Sequence, residues 1–167
     1  DLLRTAGADR IMSVDLHAAQ SQGFFDGPVD HLIAMPVLVD YIRDRFVNKL
    51  DNVAVVSPDA GRIRVAEQWA QRLGGGPLAF VHKTRDITRP NQAVANRVVG
   101  DVNGKDCVLV DDLIDTAGTI TGACKVLKEA GARSVTVVAT HGVLSGPAVE
   151  RLKHCGAREI VLTDTVP

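Results

Sequence analysis

One buried strand that ends in two carboxylates constrains this chain more than any other feature. Apolar residues run without alternation up to Val110, which predicts a strand over residues 106–110 that is covered on both faces. The run stops at the adjacent carboxylates Asp111 and Asp112. A doubly covered strand is typical of a parallel sheet between helices, and polar residues at its end are placed to contact a ligand.

A small turn and a helix follow this strand. Apolar residues recur at spacings of three and four between Ile120 and Leu127, so a helix is predicted directly after the turn. The free N–H groups of a first helical turn, together with the positive end of the helix dipole, favour a bound phosphate. Glycine lets the backbone approach that phosphate, and threonine hydroxyls add donors. The turn consists of Asp115, Thr116, Ala117, Gly118 and Thr119.

Asp111 and Asp112 suit a different part of a ligand. Carboxylates repel phosphate but accept hydrogen bonds from the vicinal hydroxyls of a sugar. A phosphate site beside a diol site describes ribose 5-phosphate. The competing interpretation is an acidic turn in which Asp115 or Thr116 only caps the helix. The order of strand, turn and helix within one short segment favours the ligand site.

The rest of the chain alternates strands with helices. This alternation predicts one α/β domain in which helices cover both faces of a parallel sheet. Residues 84–97 have neither a helical nor a strand period, so we expect a long mobile loop there, and such loops in compact domains are usually functional. Further strands are predicted over 10–14, 53–56, 78–81, 134–139 and 159–162, a short strand and turn over 98–104, and helices over 1–6, 35–50, 62–73 and 148–154.

Charged residues follow three of these other strands. Asp15 and His17 are two residues apart, so an extended chain points both to one face, although a lone histidine is more often structural. Asp59 lies in a strand-to-helix turn. Lys83 and Arg85 follow the next strand, again two residues apart, and their plain alternative is a pair of solvated cations beside a loop. Open parallel sheets bind ligands at the carboxyl ends of their strands, so these residues are candidates for a site.

Composition limits the class of ligand. The chain has 167 residues, 46% of them hydrophobic, which fits one domain with its own core. A net charge of -1 argues against a nucleic-acid surface built by neutralising phosphates, so we expect small anionic ligands instead. No apolar run reaches the roughly 18 to 20 residues needed to span a bilayer, so no membrane contact is expected.

The cysteines predict the cellular compartment, and the termini bear on whether the chain is part of a longer protein. Cys107, Cys124 and Cys155 are odd in number, lie in apolar patterns and form no C-x-x-C pair. They are predicted to be reduced core cysteines of a cytoplasmic protein. The chain begins at Asp1 without Met and ends just after a strand, so we expect it to be cut from something longer.

Five segments together resemble the ribose-phosphate pyrophosphokinases, also called phosphoribosyl pyrophosphate synthetases. Residues 107–119 resemble the phosphoribosyl pyrophosphate motif of the type I phosphoribosyltransferase fold, which transferases and synthetases share. Residues 15–26 and 139–145 distinguish the two classes, because the transferases lack both. The segments are VDLHA at 14–18, QGFFD at 22–26, VSPDAG at 56–61, CVLVDDLIDTAGT at 107–119 and ATHGVLS at 139–145.

The resemblance implies a reaction and a metal site. In that family a diphosphoryl group passes from Mg²⁺-bound ATP to the anomeric hydroxyl of ribose 5-phosphate, giving phosphoribosyl pyrophosphate and AMP. The resemblance implies that His17 and Asp59 hold the magnesium, with Asp15, Asp26 and Asp30 in its neighbourhood. The preference of magnesium for oxygen ligands supports Asp59 more directly than His17.

The resemblance also implies catalytic and sugar-phosphate contacts. Lys83 and Arg85 match the Lys-x-Arg at the root of the family's catalytic loop. Cations that stabilise the charge developing on transferring phosphates can dominate such catalysis, so both are candidate catalytic residues. Ribose 5-phosphate is expected to contact Arg85, Asp111, Asp112, Asp115, Thr116, Ala117, Gly118 and Thr119.

The chain departs from the family pattern at three points. The loop after Arg85 is longer than the widespread form, Thr84 replaces a middle arginine, and Arg62 stands where many members have a second glycine. The family also has an N-terminal domain of similar fold, so we expect residues 1–167 to be its C-terminal, ribose-phosphate half. The resemblance further implies a homo-oligomer, commonly a hexamer, with phosphate and ADP as regulators.

Two alternatives to this enzyme stay open. A non-catalytic, synthetase-associated regulatory subunit would keep the fold and alter the catalytic loop. The longer loop favours that subunit weakly, whereas intact Lys83, Arg85 and Asp59 argue against it. A salvage phosphoribosyltransferase would consume phosphoribosyl pyrophosphate instead of making it.

Overall fold

Eight strands organise the part of the chain that the structure describes. The structure is a computed structural model that describes residues 1–84 and 95–166, with the backbone alone at 83, 84, 95 and 96. The strands are β1 (Ile11–Val14), β2 (Val29–Leu32), β3 (Val53–Ser57), β4 (Leu78–Thr84), β5 (Ala95–Val99), β6 (Asp106–Ile114), β7 (Ser134–Gly142) and β8 (Glu159–Leu162).

Six of these strands form the central sheet, in the order β5-β4-β3-β6-β7-β8. All neighbours are parallel except β4 and β5, which run antiparallel. The strands β1 and β2 form a separate two-stranded parallel sheet. The helices are α1 (Leu2–Thr5), α2 (Met35–Arg45), α3 (Ile63–Arg72), α4 (Gly118–Glu129) and α5 (Ala148–His154), and short 3₁₀ turns span Ala19–Phe24, Leu50–Asn52 and Ala60–Arg62.

Two hydrophobic cores cover the two faces of the central sheet. Successive side chains of β6 alternate between them, because side chains of a strand point to opposite faces in turn. Leu109 packs in the core formed with α4 and α5, and Val110 packs in the core formed with α2 and α3. Both residues are almost completely buried. The predicted α/β fold, with a largely parallel sheet between helices, is therefore confirmed.

The strand that carries the two carboxylates is longer than the sequence predicts. The apolar run ends at Val110, but β6 continues to Ile114, where it still pairs with Gly142 of β7. Backbone pairing with a neighbouring strand does not depend on an apolar side chain, so the hydrophobic pattern underestimates the strand. Asp111 and Asp112 consequently lie in extended backbone and not in a turn.

Other boundaries also differ from the predictions. The strand predicted over 10–14 belongs to the small sheet, and its partner β2 was not predicted, because four residues with a mixed pattern give little signal. The loop predicted over 84–97 is too long at both ends: Thr84 lies in β4 and pairs with Ala95 of β5. Residues 85–94 lie outside the described residues. The predicted helix 35–50 ends at Arg45, and its first turn contains Pro36.

The cysteines behave as predicted. Cys107, Cys124 and Cys155 are buried free thiols. Burial raises the pKa of Cys107 to about 12, so this thiol stays protonated and unreactive at neutral pH. None of the described helices combines the length and the apolar character that crossing a membrane requires.

A cavity in the core beside β6 should lower the stability of the fold. Leu109→Ala removes a fully buried side chain and should destabilise the fold by about 2 to 5 kcal/mol, lowering Tm by roughly 5–15 °C in thermal unfolding. Leu113→Ala, in the same strand but 36% exposed, is the control and should change stability by much less. Equal losses for the two variants would contradict the assignment of Leu109 to the core.

Candidate functional site

The turn between β6 and α4 is shaped as an anion-binding loop. Ala117 precedes the helix in a left-handed conformation with φ of 60°, and its carbonyl accepts hydrogen bonds from both the N–H and the hydroxyl of Thr121. Thr116, Gly118 and Thr119 are exposed. In the described part of the chain no side chain caps the start of α4, so the N–H groups of its first turn are available to a ligand.

A small cavity lies directly over this loop. Its volume is about 160 Å³. Asp111, the loop itself and Ile120 are part of its lining, so a carboxylate from β6 and the start of α4 face one space. One end of the cavity, at the start of α4, therefore carries the partial positive charge of a helix N-terminus. The other end, at β6, is acidic.

Arg151 supports the loop from the neighbouring helix α5. Its guanidinium donates a hydrogen bond of 2.9 Å to the carbonyl oxygen of Thr116. This contact occupies a carbonyl that would otherwise repel an anion near the loop. The sequence pattern predicted only a helix over 148–154, so this role of Arg151 was missed.

Asp111 and Asp112 form an acid pair, in which the charge of one carboxyl group affects the protonation of the other. Burial raises the pKa of Asp111 to about 7, and the hydrogen bond that its carboxyl group shares with Asp112 acts in the same direction. The backbone N–H of Asp112 donates to Asp111 Oδ1 over 2.9 Å, and this bond opposes the rise in pKa. Near neutral pH the pair can therefore hold one proton, with Asp111 as donor and Asp112 as acceptor.

Two further side chains hold Asp112 in its ionised form. Arg62 forms an ion pair with its carboxylate, and His17 Nδ1 lies 2.8 Å from the same oxygen. Burial alone would raise the pKa of Asp112, but hydrogen bonds from Asp111 and His17 and the charge of Arg62 lower it. The Nη2 atom of Arg62 also lies 2.6 Å from His17 Nδ1, so the three side chains form one cluster.

A second cavity of about 300 Å³ opens on the other side of this cluster. Its wall includes Asp111, Asp112 and Arg62 together with apolar residues of α2 and α3, among them the buried Trp69. Asp111 lines both cavities. The acid pair thus lies on the ridge between them.

The residues implied as a metal site are not gathered in one place. Asp59 caps the 3₁₀ turn after β3, where its Oδ1 accepts the N–H of Gly61 over 2.8 Å. Asp15 accepts hydrogen bonds from Ala34 and Thr140, Asp30 pairs with Arg10, and Asp26 is exposed. Over residues 1–84 and 95–166, no group of three or more acidic, histidine or cysteine side chains is arranged to hold a metal ion. The metal assignment of His17, Asp59, Asp15, Asp26 and Asp30 stays a prediction.

The structure describes the candidate catalytic residues Lys83 and Arg85 only in part. The backbone of Lys83 lies near the end of β4, where it pairs with Asn96. Arg85 lies outside the described residues. Because β4 is parallel to β3 and β3 to β6, Lys83 is at the same edge of the sheet as Asp59 and the acid pair. The roles of Lys83 and Arg85 stay predictions.

The two segments that distinguish synthetases from transferases contact each other. Thr140 at the end of β7 donates a 2.6 Å hydrogen bond to Asp15 Oδ2. The neighbouring His141 has Nε2 at 2.9 Å from the carbonyl oxygen of Val14, to which it can donate. These bonds attach the small sheet to the central sheet and bring His17 next to Asp112.

Similarity to solved structures identifies the class of fold. A purine phosphoribosyltransferase from Pyrococcus horikoshii matches 94% of this chain and 89% of its own with a TM-score of 0.55 at 18% identity, which is evidence for the fold alone. A phosphoribosylpyrophosphate synthetase from Mycobacterium smegmatis matches 99% of this chain and 52% of its own with a TM-score of 0.90 at 59% identity. The chain therefore has the fold of the type I phosphoribosyltransferases.

The family follows from the sequence comparisons. The model of the phosphoribosyl synthetase-associated domain matches residues 83–167, and the chain belongs to that family. A ribose-phosphate pyrophosphokinase from Bifidobacterium longum is 92% identical over all 167 residues, and one from Corynebacterium efficiens is 68% identical. The matches cover 49% and 51% of those proteins, so the chain spans about half the length of these relatives. The resemblance inferred from the motifs is confirmed.

The raised pKa of Asp111 should make stability depend on pH. The unfolded chain releases this proton near pH 4, and the folded chain releases it only near pH 7. The free energy of unfolding therefore falls progressively as pH rises from about 4 to 7. Asp111→Asn, which keeps the neutral form, should raise Tm by roughly 3–8 °C at pH 8 and change it little at pH 4. Asp44→Asn, at an exposed position on α2, is the control. A gain that was equal at both pH values would contradict the assignment.

Proposed function

We propose that this chain carries the ribose 5-phosphate site of a ribose-phosphate pyrophosphokinase. The reaction passes a diphosphoryl group from Mg²⁺-bound ATP to the anomeric hydroxyl of ribose 5-phosphate, giving phosphoribosyl pyrophosphate and AMP for nucleotide biosynthesis. The observation that carries the proposal is the cavity that joins the start of α4 to Asp111, the member of the acid pair that lines it. The names of the relatives that match the whole chain point to the same reaction.

The sugar phosphate fits the cavity by its chemistry. Its phosphate accepts hydrogen bonds from the N–H groups at Gly118 and Thr119 and from the threonine hydroxyls of the loop. Its vicinal hydroxyls meet the acid pair, where ionised Asp112 accepts a hydrogen bond from one hydroxyl and the proton of Asp111 turns from Asp112 to the oxygen of the other. A pair that holds one proton thus matches a diol, which both donates and accepts.

Magnesium enters with ATP in this proposal. Magnesium bound to nucleotide phosphates usually needs only one or two protein ligands and keeps several waters, which suits the dispersed acidic residues of this chain. Asp59 would hold it through a carboxylate oxygen, and His17 through Nε2, because its Nδ1 contacts Asp112. When bound, the ion neutralises charge on the phosphate oxygens during transfer.

Lys83 provides a direct test of the catalytic part of the proposal. A preorganised cation that stabilises charge on the transferring phosphates should act on turnover more than on ribose 5-phosphate binding. Lys83→Ala should lower kcat by roughly a hundredfold while the KM for ribose 5-phosphate changes little. Lys125→Ala, which removes an exposed lysine paired with Glu129 on α4, is the control.

The Lys83 assay uses this chain and, where the chain alone is inactive, the Bifidobacterium longum relative with these 167 residues exchanged into it. Initial rates of AMP formation over a range of ribose 5-phosphate concentrations give kcat and KM separately. A Lys83→Ala variant with near-normal kcat would contradict a catalytic role for this lysine.

One observation favours a second candidate function. The family model that matches the chain is described as a phosphoribosyl synthetase-associated domain, which fits a non-catalytic subunit that regulates a synthetase. Salvage phosphoribosyltransferases share the fold at low identity, and no site observation favours them over the synthetase. Assembly into a homo-oligomer, with phosphate and ADP as regulators, is part of the first proposal and rests on the resemblance.

A phosphorus NMR time course separates these functions. The chain is mixed with ribose 5-phosphate, Mg²⁺-ATP and inorganic phosphate, and the spectra follow ribose 5-phosphate and any new diphosphate signals. Joint appearance of phosphoribosyl pyrophosphate and AMP is the expected result, either from the chain or from the chimera described above. A chimera without turnover, together with a chain that alters the rate of an intact synthetase, would favour the regulatory subunit.

A further inference from the structure

We propose that Arg62 is a positioning residue that orients Asp112 toward a bound sugar and holds His17 beside it. The inference rests on the proposed ribose 5-phosphate site and adds a residue to it. Arg62 and Asp112 do not line the cavity over the loop at residues 115–119, whereas Asp111, the neighbour of Asp112, does. An effect of Arg62 on sugar binding must therefore pass through Asp112 and the acid pair.

The geometry shows one guanidinium joining two chain segments. Arg62 ends the 3₁₀ turn Ala60–Arg62, and its NH2 group forms the ion pair with Asp112 Oδ2 on β6. The same nitrogen lies 2.6 Å from His17 Nδ1, which belongs to the segment after β1. The side chains of Arg62 and Asp112 are only 19% and 12% exposed, so water screens this contact weakly.

The turn that carries Arg62 is itself fixed. Asp59 Oδ1 accepts the N–H of Gly61, and Ser57 Oγ donates a 2.6 Å hydrogen bond to the carbonyl oxygen of Asp59. Ser57 is completely buried. A rigid turn thus presents the Asp59 carboxylate, and the residue that ends the same turn reaches across to Asp112.

The acid pair needs such a partner. Two adjacent carboxyl groups repel each other when both are charged, and the sugar requires one of them to stay ionised in a fixed orientation. His17 cannot supply that rigidity alone, because its side chain is 79% exposed. Arg62 contributes a permanent positive charge, and one nitrogen of its rigid guanidinium contacts both Asp112 Oδ2 and His17 Nδ1, whereas a lysine ammonium lies on a more flexible stem.

Two probes of different size separate positioning from general structural support. Within the proposed sugar-phosphate site, inorganic phosphate engages only the loop at α4, whereas ribose 5-phosphate engages both the loop and the acid pair. Isothermal titration of the 167-residue chain with each probe should show that Arg62→Ala weakens ribose 5-phosphate about tenfold and leaves phosphate within about twofold. Arg62→Lys should restore only part of the loss, and Arg64→Ala, an exposed neighbour on α3, should have no effect.

A double variant tests the route through Asp112. If Arg62 acts by orienting Asp112, then Arg62→Ala should cost little further affinity for ribose 5-phosphate once Asp112→Asn is present. Fully additive losses would overturn the inference. So would equal weakening of both probes by Arg62→Ala, which indicates a structural role, or unchanged binding of ribose 5-phosphate.

The two proposals fail in different ways. If the unaltered chain binds ribose 5-phosphate no more tightly than inorganic phosphate, the proposed sugar site is wrong and the inference on Arg62 fails with it. If the unaltered chain binds ribose 5-phosphate more tightly than phosphate, and Arg62→Ala keeps that preference, only the inference on Arg62 fails.

Discussion

The pairing of β6 on both edges is the constraint on which the rest of this structure depends. The strand is hydrogen-bonded to β3 on one side and to β7 on the other, and its side chains fill the cores on both faces of the sheet. Only its last residues emerge at the rim, where the acid pair begins. A rigid, doubly covered strand therefore fixes the backbone of Asp111 and Asp112 before any ligand is present.

Charge at the rim is arranged by contacts from separate parts of the chain. β3 leads into the turn with Asp59 and Arg62, β6 carries the acid pair, and β7 ends at Thr140, which bonds Asp15 in the segment that carries His17. Each contact alone is ordinary. Together they favour the ionised form of Asp112, while burial raises the pKa of the neighbouring Asp111 to about 7, and they place both next to an anion-binding loop.

Sequence patterns predicted the parts of this site that are local. The strand, the turn at 115–119 and the helix after it follow from hydrophobic periodicity and from the small residues of the turn, and the structure has all three. The roles of Arg62 and Arg151 could not be predicted in the same way, because their partners lie about 50 and 35 positions away along the chain. Strand β2 and the extension of β6 were missed because backbone pairing leaves no clear pattern in side chains.

Mapping of ribose 5-phosphate on the protein by amide NMR tests the central claim most directly. The claim is that the loop at the start of α4 and the acid pair of β6 bind one sugar phosphate together. Titration of the ¹⁵N-labelled chain should shift the amides of Thr116 to Thr119 and of Asp111 and Asp112 in one saturable event. Shifts confined to the cavity wall around Trp69, with the loop unaffected, would contradict the account.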